Sequence, residues 1–586
     1  MEYPINVYIT ADSLISSLGA STQENLKAIR QYRSGVTMHE AGTISDAPIL
    51  AAIIATTSPN PSIASSTNSL DDAYTRLEQL FILTIKDILT QSGISLADKE
   101  CGLILFTTKG NVDVLSNHPM EPESKVYLWE MGKRIGEYFQ TYHQVEIISN
   151  ACISGVSAMI VAKRWIETGK YKKVIVAGGD ILSHFITSGF LSFRSISDAI
   201  CRPYDAKRDG LNLGEACGAL LLSSEGGDKD ILLSGGAISN DANHISGPSR
   251  TGDGLYFAIR GAMEEAEVMP QDISFINAHG TATVYNDEME SKAIHLAGLE
   301  TVPVNSMKPY FGHTLGASGV IESIICLHEL KENILFGTLG YEEPGVSMPI
   351  IVQADHREMP MKHCVKTASG FGGCNAAIVL SLPKELDKSF KKSTDSISVI
   401  TIATVSIENA SVKVNGEPVF SSTSANFAQF IREAYKNTGG SNMKFYKMDD
   451  LCKLGYTAAE YLLREENEGA RPNFLSEEIG ILLANSASSL DTDIHHQDII
   501  NREGDHAASP AVFVYTLPNV VAGEICIRHK IQGENTFFIE QEFDADKLEK
   551  YARIVMEKGK LKACITGWCE LLKEKYKAEF KLIEIQ

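Results

Sequence analysis

The stretch Val145–Gly179 decides the fold, and at its centre stands Asn150-Ala151-Cys152-Ile153-Ser154-Gly155. Before it, Gln144-Val145-Glu146-Ile147-Ile148-Ser149 is rich in β-branched residues and predicts a short strand. After it, Val156, Met159, Ile160, Lys163 and Ile166 recur near a 3.6-residue period and Gly169 stops the pattern, which predicts a helix over 155–168. Val174-Ile175-Val176-Ala177 then returns as a buried strand ending in Gly178-Gly179. A cysteine between strand end and helix start lies where unpaired backbone N–H groups and a positive dipole end converge. That position is expected to favour thiolate over thiol and to offer donors to an oxyanion. Taken alone, Cys152 reads more readily as an ordinary buried cysteine, so the rest of the chain has to decide.

Working outward, apolar strands alternate with helical stretches. Asp71–Gln91, Gly254–Glu267, Asp287–Ala297 and Gly316–Leu330 predict helices; Cys101–Phe106, Ile273–Asn277, Val365–Ser369 and Ala376–Leu382 predict strands. This alternation predicts an α/β layered architecture. The pattern breaks at Lys384–Asp395, where Lys384, Lys388, Lys391 and Lys392 lie among Ser, Thr and Asp, and a linker is expected over 386–396. A second apolar segment runs from 397 to 586. It repeats part of the first: Asn535–Glu542 takes the place of Val145–Cys152, Glu167 and Gly169 meet Glu557 and Gly559, and Asp180 meets Glu570. Upstream, Gly102-Leu103-Ile104-Leu105 resembles Gly480-Ile481-Leu482-Leu483.

Composition bounds the function. With 586 residues, 44% hydrophobic and 22% charged, the chain can bury several cores. It has no apolar run long enough for a spanning helix, and its first ten residues lack a secretion signal's basic and apolar regions. The eleven cysteines are scattered, with no C-x-x-C pair, which argues for a reducing cytoplasm and against a disulfide framework or a zinc site. A net charge of −21 without a basic stripe speaks against nucleic acid. Asp491-Thr492-Asp493-Ile494-His495-His496-Gln497-Asp498 offers metal-ligand types but reads as a polar loop.

Four separated stretches settle the question that Cys152 leaves open. They are the turn 150–155; Asn277-Ala278-His279-Gly280-Thr281-Ala282-Thr283; Asn305-Ser306-Met307-Lys308-Pro309-Tyr310-Phe311-Gly312-His313; and Gly370-Phe371-Gly372-Gly373-Cys374-Asn375. In this order they resemble the elongating β-ketoacyl-acyl-carrier-protein synthases of the thiolase superfamily. The resemblance covers residues 1 to about 385. It implies a five-layered α/β/α/β/α fold, made of an N-terminal half at 1–235 with the nucleophile and a C-terminal half at 236–385 with the histidines. Residues 397–586 would add a degenerate N-terminal-type half.

The resemblance also implies roles. Cys152 would hold an acyl group as a thioester. His279 and His313, each expected just after a strand, would donate to the enolate formed when malonyl thioester loses carbon dioxide. Lys308 and Glu322 would support the second histidine, and Phe371 with Cys152 would supply backbone donors to the acyl oxyanion. Thr281 and Thr283 would bind the phosphopantetheine arm, which a partner acyl carrier protein brings; no metal and no cofactor of the chain's own is expected. Acyl and malonyl thioesters would be the substrates, with polyene (aryl-polyene or flexirubin-like) or fatty-acid synthesis as the setting. A homodimer, or a pseudo-dimer through a chain-length-factor-like C-terminal segment, would be the assembly. Two departures stand out. The family's Pro-Asn motif is missing before Cys152 but kept in the copy, as Leu517-Pro518-Asn519 with Gly523. Cys374 stands where related thiolases have a second, basic cysteine, and is read as packing. A chalcone-type or thiolase-type reaction, or a scaffold without chemistry, remain the alternatives.

Overall fold

The computed structural model describes residues 5–55, 73–116, 120, 123–383, 397–424, 426–464 and 474–586. The linker expected at 386–396 and the first two residues of the helix expected from Asp71 lie outside these.

Three sheets share one strand order. The first contains β1 (Tyr8–Ser16), β2 (Cys101–Phe106), β3 (Glu146–Ile148), β4 (Lys173–Asp180) and β5 (Ala216–Ser223). Its spatial order is β3-β2-β4-β5-β1, with parallel pairs about β2 and antiparallel pairs to either side of β5. The second contains β6 (Ile231–Asn240), β7 (Ile273–Asn277), β8 (Pro303–Asn305), β9 (His363–Gly370) and β10 (Cys374–Ser381). It runs β8-β7-β9-β10-β6 with the same parallel and antiparallel sense. The third contains β11 (Val399–Glu408), β12 (Ile479–Asn485), β13 (Asn535–Ile539), β14 (Ala563–Leu572) and β15 (Lys575–Ile585). It runs β13-β12-β14-β15-β11, once more in the same sense.

Two helices fill the space between the first and second sheets. Every residue of α1 (Ser154–Glu167) from Ser154 to Ile166 is buried, and α2 (Ser318–Glu332) is buried almost as completely. A helix with no polar face is stable only when covered on all sides. The two approach at glycines: a Cβ on Gly155 would lie 2.8 Å from the Gly316 carbonyl oxygen, and one on Gly319 2.8 Å from the Val156 nitrogen. On the outer face of the first sheet, the helix Arg76–Ser92 starts with a Thr75–Glu78 capping box and ends at Gly93 in the left-handed region.

The third sheet is continuous with the first. β13 pairs antiparallel with β3, Phe538 opposite Ile148 and Ile539 opposite Ile147. Just beyond, Ser149 N–H donates to the Phe537 carbonyl at 3.1 Å and Asn150 Nδ2 to the Asn535 carbonyl at 2.9 Å. Buried ion pairs cross the same boundary: Arg164 with Glu534 at 2.6 Å, and Lys109 with Asp493 at 2.7 Å. Removing one member of such a pair leaves an uncompensated buried charge.

Two readings of the sequence are corrected. Residues 491–498 form no loop; they belong to the helix Leu490–Glu503, in which Asp493 is held by Lys109 and buried His496 packs edge-on against Phe185. Nor does His313 follow a strand. A one-turn helix, Lys308–Phe311, separates it from β8, because Pro309 sits early in the helix, where its missing N–H costs nothing. Among the described residues no single helix is long and apolar enough to cross a membrane.

Candidate active site

Cys152 lies in the turn between β3 and α1, 7% exposed. Ala151 before it has φ +48°, a conformation that non-glycine residues adopt only under constraint. The constraint is Ser154, whose hydroxyl accepts from Asn150 N–H at 2.8 Å and donates to the Ala151 carbonyl at 2.6 Å. Burial pushes the Cys152 thiol up to about 12, against the lowering by Lys308 and by the backbone N–H groups of Phe371 and of Cys152 itself. Burial thus opposes the thiolate that the helix terminus is expected to favour. The two N–H groups remain, converging on the sulfur from opposite elements, where an oxyanion would form.

His279 follows β7 directly. Its ring meets that of His313 edge-on, with centroids 5.2 Å apart and planes at 86°. Burial drives both well below the ordinary imidazole range, and the charges of Lys308 and Lys366 push the same way, so both rings are neutral. Nδ1 of His279 is buried without a protein partner among the described residues, while Nδ1 of His313 lies 3.3 Å from the Ser318 hydroxyl. A neutral pair of this kind can donate to a developing enolate oxygen without giving up its proton.

Below the histidines, Lys308 Nζ is 2.6 Å from Glu322 Oε1, and Lys366 Nζ is 2.6 Å from Oε2. All three side chains are buried. Lys366, which also donates to the Thr367 carbonyl at 2.7 Å, is a residue that sequence reasoning missed. Its signal was a lysine in the middle of a predicted strand, between Val365 and Thr367-Ala368. Glu290 was missed as well. It accepts from His279 N–H at 2.9 Å, Gly280 N–H at 2.7 Å and the Tyr204 hydroxyl at 2.8 Å, and so fixes the loop that carries His279. Asp180, at the end of β4, accepts from the Thr107 hydroxyl and from backbone N–H groups of Thr108 and Gly316, which ties the turn after β2 to the start of α2.

Thr281 and Thr283 stand at the mouth of this loop with hydroxyls 2.9 Å apart. Phe371 is half-buried, and its ring faces Phe190 and Phe193 at centroid distances of 6.1 and 5.2 Å. Cys374 is buried with Sγ 3.3 Å from the Phe371 carbonyl, and burial holds its thiol well above the usual range, unlike a base. The C-terminal region also reaches the site. Phe513 packs edge-on against Phe190 at 5.6 Å and over the backbone of Gly189.

Comparison with known proteins agrees with this geometry. Residues 6–226 match the β-ketoacyl synthase N-terminal domain and 232–342 the β-ketoacyl synthase C-terminal domain. A 3-oxoacyl-[acyl-carrier-protein] synthase 2 of Rhizobium meliloti is 33% identical over 252 residues, 40% of this chain and 59% of that protein. A putative polyketide β-ketoacyl synthase 1 of Streptomyces cyaneus is 30% identical over 266 residues, 42% of this chain and 63% of that one. The chain thus spans about six-tenths of the length of the curated relatives it matches. Among solved structures, the ketosynthase ApeO in complex with its chain length factor ApeC, from Xenorhabdus doucetiae, is 26% identical. The match covers 64% of this chain and 98% of that one, with TM-score 0.57. A PfaC keto synthase–chain length factor structure is 14% identical but covers 99% of this chain and 78% of its own, with TM-score 0.76. At that identity it speaks for the fold alone, and it does so through the C-terminal region too. With both family domains in sequence over 6–342 and a thiolase-like α/β fold, the chain belongs to the β-ketoacyl synthase family.

Proposed function

We propose that the chain is a condensing acyltransferase that joins a malonyl thioester to an acyl group held on Cys152. The observation that carries this is the convergence of the Cys152 and Phe371 N–H groups on a buried sulfur, beside two neutral histidines. In the first step the Cys152 sulfur attacks an acyl thioester, and its proton leaves with the departing carrier thiol. The tetrahedral oxygen lies between the two N–H groups. In the second step the malonyl carboxyl–carbon bond breaks, carbon dioxide leaves, and the electron pair is held as an enolate on the thioester oxygen by His279 and His313. That carbon attacks the acyl carbonyl, the Cys152–acyl bond breaks, and the thiolate takes a proton from solvent. Thr281 and Thr283 would steady the phosphopantetheine arm, which the acyl carrier protein supplies.

We assign the region from 397 onward the role of a chain-length-factor-like partner fused in the same chain. Its strand order and its pairing through β13 support this, as does the likeness of the whole fold to a keto synthase–chain length factor structure. A polyene product, of the aryl-polyene or flexirubin-like kind, is the reading that this truncated partner favours over ordinary fatty-acid elongation. Product masses from purified carrier protein, an acyl primer and malonyl donor test both. His313→Ala separates the half-reactions: acyl loading of Cys152 persists, while carbon dioxide release slows by about 2–4 kcal/mol of barrier. Normal release in that variant removes His313 from the mechanism.

A further inference from the structure

The glycine-rich loop at 370–373 supplies one of the two oxyanion donors, yet its backbone is loosely determined by its own sequence. Gly372 and Gly373 have φ of +87° and +71°, and Phe371 between the glycines is only half-buried. Part of what fixes it comes from the far side of the boundary. Asn519 opens α3 (Val520–His529) in the C-terminal region, and its Nδ2 donates to the Phe371 carbonyl at 2.8 Å. The same nitrogen lies 3.6 Å from Cys374 Sγ. The orientation of the amide is dictated by chemistry, because a carbonyl oxygen can only accept. Among the described residues Asn519 Oδ1 is buried with no partner, so Phe371 and Cys374 are the polar partners the side chain shows there. The approach is close enough to require glycine on both sides. A Cβ on Gly372 would lie 2.6 Å from Asn519 Nδ2, and one on Gly523, one turn along α3, would lie 2.6 Å from the Gly372 carbonyl. That Gly372 carbonyl is itself held by Asn240 Nδ2 at 2.9 Å, and Gly372 N–H donates to the Ile245 carbonyl at 2.6 Å.

We infer that Asn519 is a positioning residue for acyl transfer: the C-terminal region, which carries Glu542 at the place of Cys152, sets the oxyanion donor of Phe371 by clamping the carbonyl of the same residue. This rests on the condensing activity proposed above. The Pro518-Asn519 pair that the sequence lacks before Cys152 is thus supplied from the copy. The clamp bears on the Cys152 oxyanion and not on the enolate, which faces His279 and His313. It therefore predicts a split between the half-reactions that a merely structural contact would not give.

The test uses the full chain, with octanoyl-N-acetylcysteamine as acyl donor followed by intact mass, and carbon dioxide release from malonyl-carrier protein. Asn519→Leu, close in size but without a donor, should load Cys152 roughly ten- to hundredfold more slowly at saturating donor, as expected for a misplaced reacting group. Its KM and its carbon dioxide release should stay within about twofold. Asn519→Asp can donate only while its carboxyl is protonated, so its loading relative to wild type should fall as pH rises from 6 to 9. Unchanged loading in Asn519→Leu overturns the inference. So does an equal fall in both half-reactions together with a lower melting temperature, or a pH-independent ratio for Asn519→Asp. A wild-type protein that neither loads nor releases carbon dioxide overturns the proposed function, and the inference with it.

Discussion

The turn after β3 and the turn after β13 sit at equivalent places in two sheets of one strand order, and only the first carries a cysteine. Gly102 pairs with Val174 in the first sheet, and Gly480 with Cys564 in the third; Glu167 and Glu557 close the equivalent helices α1 and α4 (Ala545–Glu557). Asp180 ends β4 and Glu570 lies near the end of the matching β14, and each accepts N–H groups from the turn after the central strand. The scaffold is therefore kept. What differs is the connection. Before α1, Ala151 is strained, and every side chain of the turn is buried under α2. Before α4, Gln541 and Glu542 are exposed, and Asp544 caps the helix by accepting from Lys547 N–H. The difference teaches that the sheet determines where a nucleophile could sit. A second layer, α2, presses on the first turn, while among the described residues the second turn is left exposed at Gln541 and Glu542.

The sharpest way to break the comparison is to remove the sulfur. Cys152→Ala should abolish acyl uptake by intact mass while the melting temperature stays within a few degrees, since the change is small and lies at a turn. Uptake in that variant would show that the nucleophile is elsewhere. Next in size is the seam between the two sheets. Phe538 and Ile148 face each other about the local twofold, so Phe538→Asp buries an unpaired carboxylate and should cost about 3–5 kcal/mol. Amide exchange should then quicken in β3 and β13 together; quickening in β13 alone would mean that the sheets are independent.

Smaller effects sharpen the picture. Lys366→Met removes one of two positive charges that hold His279 and His313 neutral. With that repulsion gone both imidazoles rise toward their ordinary range and take up protons at higher pH. The acid limb of carbon dioxide release should then move to higher pH; an unmoved limb would deny Lys366 any electrostatic role. The smallest expected effect is none: Glu542→Cys should gain no acyl uptake. Alkylation by iodoacetamide would still separate the two turns. The introduced, exposed thiol should react with an apparent pKa near 8.5. Cys152, held as a thiol up to about 12, should react about tenfold faster for each pH unit from 7 to 9. A plateau for Cys152 in that range would restore the resting thiolate.

Much of this was legible in the order of residues. Strand and helix periods placed β2, β3, α1, β7 and β9 within a few residues. The four glycine-containing motifs placed Cys152, His279, Lys308, His313 and Phe371, because each motif is a local backbone requirement written in small residues. The copy at 535–570 was legible for the same reason. The helix at Leu490–Glu503 was not, because its face toward Phe185 and Lys109 carries Asp493 and His496, whose polar character reads as solvent-facing until the partner is known.

What the sequence determined alone is therefore everything fixed by neighbours along the chain: element type, the nucleophile turn, and the family. What only the tertiary structure decided is what depends on residues hundreds of positions apart. The thiol form of Cys152 follows from burial beneath a second layer. The pairing of Lys366 with Glu322 follows from β9 lying across α2. The reach of Asn519 to Phe371 follows from β13 closing on β3. Desolvation and hydrogen bonding are properties of surroundings, and one stretch of chain cannot specify the surroundings that distant stretches bring to it.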